Sequence, residues 1–134
     1  MPPHDDLGIP NNGVLIRAVQ ADWILRDATV ERITSATFVA GQMETSCFLA
    51  DEVGGVNGFQ QDILPLLEQE LGKSLRIATV PVSDVRARGL WVYRKPEEFR
   101  GNPAHVVIAA PEGMSKSQYK KAARSLAGDA QLQP

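Results

Sequence analysis

Two residues of this chain have the side chains of a nucleophile and its base. Cys47 is the one cysteine, and His105 is the one histidine outside the first ten residues. A thiol becomes a nucleophile when a base takes its proton or lowers its pKa, so the two could form a catalytic pair. Cys47 lies in an apolar run, however, where a free cysteine behaves as a small buried hydrophobe. We therefore expect a structural role for Cys47.

His105 follows Asn102-Pro103-Ala104, a turn that presents the imidazole where the chain enters an apolar strand. That position suits a proton carrier or a hydrogen bond to a ligand. The alternative, which we favour, is that the ring caps the loop by bonding a backbone carbonyl. No other histidine or carboxylate stands at ligand spacing from His105, so neither a metal nor a cofactor is expected.

Arg17 is a cation within the otherwise apolar run of residues 14–19. Burying an arginine is costly unless a carboxylate or a ligand anion binds it. Arg17 is therefore expected to point to solvent, with contact to a negative group as the alternative.

Together with Ser46 and Glu52, Arg17 resembles the arginine, serine and acid that ADP-ribosyltransferase-like domains use for NAD, in the same order along the chain. The resemblance covers these single residues and implies a small transferase. It departs from that family where Glu52 closely follows Ser46, because the family places its acid on a later strand.

The formal charge of −2 conceals an uneven distribution. Residues 86–134 contain nine Lys or Arg and four Asp or Glu, a balance of +5, whereas residues 1–85 contain five and twelve, a balance of −7. The aromatic residues of the basic part are more typical of a core than of a nucleic-acid stacking platform. A protein partner or self-association is expected there, and nucleic acid is the less favoured alternative. The candidate contact residues are Arg86, Arg88, Lys116, Lys120, Lys121 and Arg124.

The favoured interpretation of these cations is less specific. They would form a solvated face that the acidic part of the same domain, or of a second copy, complements.

The chain has 134 residues, of which 43% are apolar, so one domain with a substantial core is expected. A single cysteine excludes a disulfide framework and a cysteine-ligated zinc site. No apolar run approaches the ~18 residues of a membrane span, and acids stand where a signal peptide is basic and apolar. We expect a cytoplasmic protein without membrane contact.

The pattern predicts a flexible leader over residues 1–13, a single domain over 14–128 and a tail over 129–134. Short apolar or alternating runs predict strands, with a hairpin formed by the second and third, and residues 22–33 fit neither period. These strands are expected at 14–19, 37–40, 45–50, 75–82, 90–93 and 105–110.

Three helices are expected around these strands. The first runs from an N-cap at Asp62 to Gly72 after a glycine-rich loop at 54–58, and the second is one turn at 83–88. The third begins with a capping box of Ser115 and Gln118 and ends at Gly128. The sequence thus predicts an α+β fold with a mixed or largely antiparallel sheet of five or six strands. Helices would cover one face, with the C-terminal amphipathic helix packed on it.

The chain resembles a loose group of small uncharacterised bacterial proteins in three features that follow in order. They are the cluster of residues 85–92, the Asn-Pro-Ala-His motif of 102–105 and a basic terminal helix. Trp23 and residues 35–38 extend the resemblance over most of 14–127. It implies a bacterial cytoplasmic protein and directs attention to Arg86 and His105.

These observations predict a small binding or accessory module that contacts a partner through its basic C-terminal half. The alternatives are a small transferase that uses Arg17, Ser46 and Glu52, or His105, and a nucleic-acid-binding module.

Overall fold

A computed structural model describes residues 4–27, 30–39 and 43–134. Its strands are β1 (Val14–Gln20), β2 (Ile24–Asp27), β3 (Val30–Ile33), β4 (Glu44–Leu49), β5 (Leu75–Pro81), β6 (Trp91–Arg94), β7 (His105–Ala109) and β8 (Gln131–Leu132). Its α-helices are α1 (Ala36–Val39), α2 (Ala50–Val53), α3 (Gly55–Asp62), α4 (Leu64–Leu71), α5 (Val82–Ala87) and α6 (Lys116–Asp129). Two 3-10 turns cover Ala21–Trp23 and Pro96–Glu98.

One six-stranded sheet forms the centre of the fold, in the order β6-β7-β4-β1-β5-β8, and β2 and β3 form a separate hairpin. Every pairing between these strands is antiparallel. The predicted α+β class with a largely antiparallel sheet is therefore confirmed, as is the packing of the C-terminal helix on the sheet.

Both faces of the sheet are covered by helices, so the expectation of a single covered face was wrong. Side chains of successive strand residues point to opposite faces, and the strands are apolar on both. A first core lies against helices α1, α5 and α6, and a second core lies against α3 and α4. The strand residues of the first core include Leu15, Val19, Cys47, Val80, Val92, Val106 and Ile108. The second core consists of Ile16, Phe48, Ala50, Phe59, Ile63, Leu64, Leu75, Ile77 and Phe99.

Helix α6 follows its sequence pattern closely. The Ser115 side chain accepts from the Gln118 backbone and the Gln118 side chain accepts from the Ser115 backbone, so the predicted capping box is confirmed. On the inner face, the Tyr119 hydroxyl donates to the Phe38 carbonyl (2.8 Å) and lies 2.9 Å from the Thr45 hydroxyl. These buried bonds join α6 to α1 and β4.

The expected strand over residues 37–40 is helix α1 in its described part, and Ala40 lies outside the described residues. The amides of Thr37 and Phe38 bond to the carbonyls of Thr34 and Ser35, which begins a helical turn. Strand β4 pairs with β1 and β7 instead of with this segment, so the predicted hairpin does not form.

The glycine-rich segment expected as a loop forms the first half of helix α3. Gly54 and Gly55 begin it with φ of +83° and +74°, a backbone region that favours glycine. At Gly58 a Cβ would lie 2.0 Å from the Val53 carbonyl oxygen, so only glycine fits there. Pro65 lies in the first turn of α4, as predicted, although the helix begins at Leu64 rather than after an N-cap at Asp62.

Residues 4–13 pack on the sheet, which differs from the flexible leader that the sequence predicted. Ile9 is fully buried in the first core. The amide of Asp6 donates to the Val92 carbonyl, the Val92 amide donates to the Asp5 carboxylate (both 2.8 Å), and Arg86 donates to the carbonyls of Asp6 and Ile9. The tail likewise contributes β8, which pairs with β5.

Replacing Tyr119 with phenylalanine should lower the free energy of unfolding by about 1 kcal/mol, because the Thr45 and Phe38 oxygens lose a buried partner. Urea denaturation followed by circular dichroism measures this. The control is Tyr93→Phe, whose hydroxyl bonds the part-buried Glu44 at 3.2 Å and should matter less. Equal losses in both variants would contradict the assignment.

Candidate functional site

A cleft of about 330 Å³ opens on the face of the sheet that carries the second core. Its floor is formed by β1, β4 and β7, one wall by the end of α4, and the other wall by Glu98 and Phe99 after β6. The floor includes Arg17, Ser46 and His105. Three of the residues that the sequence singled out for chemistry therefore meet in one place. The apolar and aromatic lining residues are Ala18, Trp23, Phe48, Leu67, Leu71, Leu75 and Phe99.

Arg17 bridges the point where two central strands separate. Strand β1 pairs with β5 along its whole length but with β4 only at Leu15 and Ile16. Beyond these pairs, Arg17 Nη1 donates to the Ser46 carbonyl on β4 (3.1 Å) and Nε donates to the Thr37 carbonyl (3.0 Å). The guanidinium also lies 5.2 Å from the ring centre of Trp23, a cation–π contact.

The charge of Arg17 has no carboxylate partner, although the described residues include every Asp and Glu of the chain. Six basic residues of the described chain are part-buried, and Arg17 is one of them. Each of the other five forms a salt bridge. Burial lowers the pKa of the Arg17 guanidinium below its usual value because desolvation disfavours the charged form. The expectation that Arg17 points to solvent was wrong, because its guanidinium is held by carbonyls and an aromatic ring.

His105 is buried, with 3% of its surface exposed, and its ring orientation is fixed. Its ring centre lies 5.1 Å from that of Phe48, edge to face, and 6.2 Å from that of Phe99, nearly parallel. Nδ1 lies 2.7 Å from the Lys95 carbonyl oxygen, so the predicted bond to a backbone carbonyl is confirmed. The other ring nitrogen, Nε2, has no hydrogen-bond partner among the described residues.

The Lys95 backbone that holds His105 is itself held firmly. Its amide donates to the His105 carbonyl (3.0 Å), and its Nζ binds Glu44 (2.6 Å) and Glu98 (3.0 Å). The hydrogen bond to Glu44 raises the pKa of Lys95 above its usual range. Glu70, the second acid of the cleft, binds Arg100 at 3.4 Å. Both acids of the rim are thus paired with cations.

Glu52 does not join Arg17 and Ser46. Its two carboxylate oxygens each lie 2.8 Å from a nitrogen of Arg94, in a bidentate pair outside the cleft. These hydrogen bonds from Arg94 lower the pKa of Glu52. The three-residue set that resembled ADP-ribosyltransferase-like domains is therefore not assembled.

Cys47 and His105 lie on opposite faces of the sheet. In the pairing of β4 with β7, Cys47 stands opposite Val106 while Phe48 stands opposite His105. Cys47 accordingly belongs to the first core and His105 borders the second. Burial raises the pKa of the Cys47 thiol to about 12. The structural role expected for Cys47 is what the structure shows.

Arg86 and Arg88, predicted as contact residues, are bound within the chain. Arg86 forms a salt bridge with Asp5 at 3.1 Å, and Arg88 binds the carboxylate of Asp129 and the Ser125 hydroxyl. Much of the basic half is therefore neutralised inside the chain. Acids of the first 85 residues pair with Arg86, Arg94, Lys95 and Arg100.

Helix α6 carries the basic residues of the C-terminal half that have no such partner. They are exposed, and none has an Asp or Glu within salt-bridge distance in the described chain. These residues are Lys116, Lys120, Lys121 and Arg124, which we call the α6 basic surface. A shallow depression along the helix is lined by all four.

No sequence pattern indicated the aromatic walls of the cleft. Trp23 lies in the segment that fitted neither period, and Phe99 lies within the polar tract of residues 94–103, which is typical of a loop. Both join the site through long-range packing. Phe48 stands directly opposite His105 in the pairing of β4 with β7, so their side chains share one face of the sheet. The sequence placed both residues in strands but did not show that these strands pair.

The fold and site define an α+β domain with a two-sided antiparallel sheet and a cleft beside α4 that Arg17 lines. No protein-family model, no curated protein and no solved structure matches this chain. Within the described residues, no helix has the length and apolarity needed to cross a membrane, and no group of His, Cys, Asp and Glu is arranged to hold a metal.

Alkylation of Cys47 by iodoacetamide should be very slow in the folded protein at pH 8 and rapid in urea. The thiolate is the reactive form, and burial both raises the pKa and blocks access. Mass spectrometry of timed samples measures the rate. Rapid labelling of the native protein would contradict the buried, unreactive thiol.

Proposed function

We propose that this protein is a small binding module that takes a small organic anion with an apolar body into the cleft. The observation that carries this proposal is Arg17, the one part-buried cation of the described chain without a carboxylate. A desolvated charge without a counterion is costly, and a ligand anion would remove that cost. The planar guanidinium also suits a carboxylate or phosphate.

The remaining walls favour a ligand with an apolar, preferably aromatic, body. Trp23, Phe48 and Phe99 offer ring surfaces, and Leu67 and Leu71 offer aliphatic contact from α4. Leu71 is 50% exposed, so part of its side chain is open to contact with a ligand. Apolar walls with a few polar groups are typical of small-molecule sites, and about 330 Å³ lies at the lower end of their size range.

The site suits binding better than the group transfer that Arg17, Ser46 and Glu52 would carry out together. Glu52 is engaged by Arg94, and both rim acids are paired with cations, so no free carboxylate lies beside Arg17 to act as a base. The Ser46 side chain is exposed at the cleft, but its carbonyl is what contacts Arg17.

Titration of isotope-labelled protein with benzoate, phenyl phosphate and neutral benzamide tests the proposal. The two anions should shift the resonances of Trp23, Ser46 and His105 saturably, and benzamide should not. Arg17→Gln should weaken anion binding about 10- to 100-fold, because a hydrogen bond to a charged group contributes ~1.5–3 kcal/mol.

Arg124→Gln is the matched control, since it removes one positive charge from exposed α6 and should leave cleft binding unchanged. Arg17→Lys keeps the charge without the planar fork and should retain part of the affinity. Circular dichroism verifies that each variant folds. Equal binding of benzoate and benzamide, or full affinity in a folded Arg17→Gln variant, would contradict the proposal.

As a second candidate function, we propose that the α6 basic surface binds an acidic protein segment. The supporting observation is that other basic residues of the C-terminal half have internal partners, whereas these four are exposed and unpaired in the described chain. Their spacing at i, i+4 and i+8 places three of them along one helix face. Complementary charge would orient such a partner.

Reversing two charges of the α6 basic surface, Lys120→Glu with Arg124→Glu, should abolish binding of a polyglutamate peptide that wild type binds at low salt. Affinity should fall steeply as salt is raised. Reversing Arg32 and Lys73, which are exposed elsewhere, is the control. Tighter binding of duplex DNA than of polyglutamate would favour the nucleic-acid alternative, and no salt dependence would exclude both.

We also propose that the chain belongs with the small bacterial cytoplasmic proteins that it resembles. The Asn-Pro-Ala-His motif is the feature that carries this resemblance, and it builds the turn before β7. The Asn102 side chain accepts from the Ala104 amide (2.9 Å), and the Asn102 carbonyl accepts from the His105 amide (3.1 Å).

A further inference from the structure

We infer that the cleft selects an acid that also carries a hydrogen-bond donor, such as a hydroxyl group, and that His105 Nε2 is the acceptor that reads it. This inference rests on the proposed function and specifies its ligand class. It adds a second polar requirement, at a different wall of the cleft, to the anion at Arg17.

The tautomer of His105 follows from its partner. The Lys95 oxygen belongs to a carbonyl, which can only accept, so the proton of this 2.7 Å bond is on Nδ1. In the neutral imidazole the second nitrogen then has a lone pair and no proton. Nε2 is therefore an acceptor.

Nε2 is free to meet a ligand. No hydrogen bond joins it to any described residue. Among the described residues, Thr37 Oγ1 is the one fully buried side-chain polar atom without a hydrogen-bond partner. Nε2 has no partner either, so it cannot be fully buried. Since Nε2 has no partner and is not fully enclosed, it is reached by solvent, and the cleft that His105 lines is where that solvent lies.

The ring has little freedom to offer any other atom. Phe48 and Phe99 hold it on two sides, and the Lys95 carbonyl is fixed by the pairing of β6 with β7 and by the two carboxylates that bind Nζ. A site built to accept a hydrogen bond discriminates against a ligand that cannot donate one, because the buried acceptor is then left unpaired.

The cleft therefore presents a cation at one position and a fixed acceptor at another, separated by aromatic and aliphatic surface. The ligand class that matches this arrangement is a hydroxylated, or N–H-bearing, aromatic acid. The acid group meets Arg17, the ring packs on Phe48 and Phe99, and the donor reaches Nε2.

Four ligands of similar size test the inference by titration calorimetry: benzoate, 3-hydroxybenzoate, 4-hydroxybenzoate and the methoxybenzoate that matches the tighter hydroxy isomer. One hydroxy isomer should bind about 3- to 10-fold more tightly than benzoate, which is the range of one neutral hydrogen bond. The methoxy compound, which accepts but cannot donate, should lose that gain.

His105→Phe keeps an aromatic ring between Phe48 and Phe99 and removes the acceptor. The readout is the ratio of the two affinities within this variant: the hydroxy isomer should bind no more tightly than benzoate. Should this variant fail to fold, nitrogen NMR of wild-type His105 supplies the second measurement. Nε2 should show the unprotonated resonance, and the hydroxy isomer should move it further than benzoate does.

Three results would overturn the inference: no gain from either hydroxyl, a gain that survives in His105→Phe, or an unprotonated nitrogen at Nδ1. Each of these leaves the proposed function intact if benzoate still binds through Arg17. Failure of every anion to bind at the cleft would instead overturn both.

Discussion

The guanidinium of Arg17 joins β1 to β4 where their backbone pairing stops. It donates hydrogen bonds to the Ser46 carbonyl of β4 and to the Thr37 carbonyl of α1. Without them, these acceptors would need backbone partners from a longer β1–β4 pairing and a longer α1. The strands can therefore separate without leaving those carbonyls unpaired. That separation admits Trp23 from the following turn and opens one end of the cleft.

A two-sided sheet with unequal coverage explains why a cleft exists at all. The first core is closed by the 14-residue α6 together with α1 and α5. The opposite face is covered by two helices of eight residues each, which leave His105 and Ser46 beside open space. The side chains on this face are large and rigid, and close packing of rings fixes their positions more tightly than a loop would.

Several charged groups of the two oppositely charged parts of the chain pair with each other. The acidic first part and the basic last part of the chain meet in pairs such as Arg86 with Asp5 and Arg94 with Glu52, which tie distant segments together. Pairs of this exposure contribute little stability individually, so their main effect is to specify which segments meet. Arg17 in the cleft and the α6 basic surface are outside this pattern, and both are candidate contact sites.

The sequence by itself determined the local features: the strands β1, β4, β5, β6 and β7, the capping box of α6, the position of Pro65 and the inert character of Cys47. These depend on neighbours within a few residues, which periodicity and capping preferences record. It misplaced α1, whose Thr and Val residues are typical of strands, and α3, whose glycines are typical of loops. In both, contacts from other segments outweigh local propensity.

The site was only partly within reach of the sequence. Arg17, Ser46 and His105 could be singled out by type, but nothing local says that they share a cleft while Glu52 does not. Ser46 and His105 share a face through the register of β4 with β7. Arg17 belongs to the same alternate set of β1 residues as Leu15 and Val19 of the first core, and it meets the other two at the point where β1 and β4 separate. A register shift of one residue would move every such side chain to the opposite face, and only the tertiary structure sets that register, because it follows from burying both apolar faces at once.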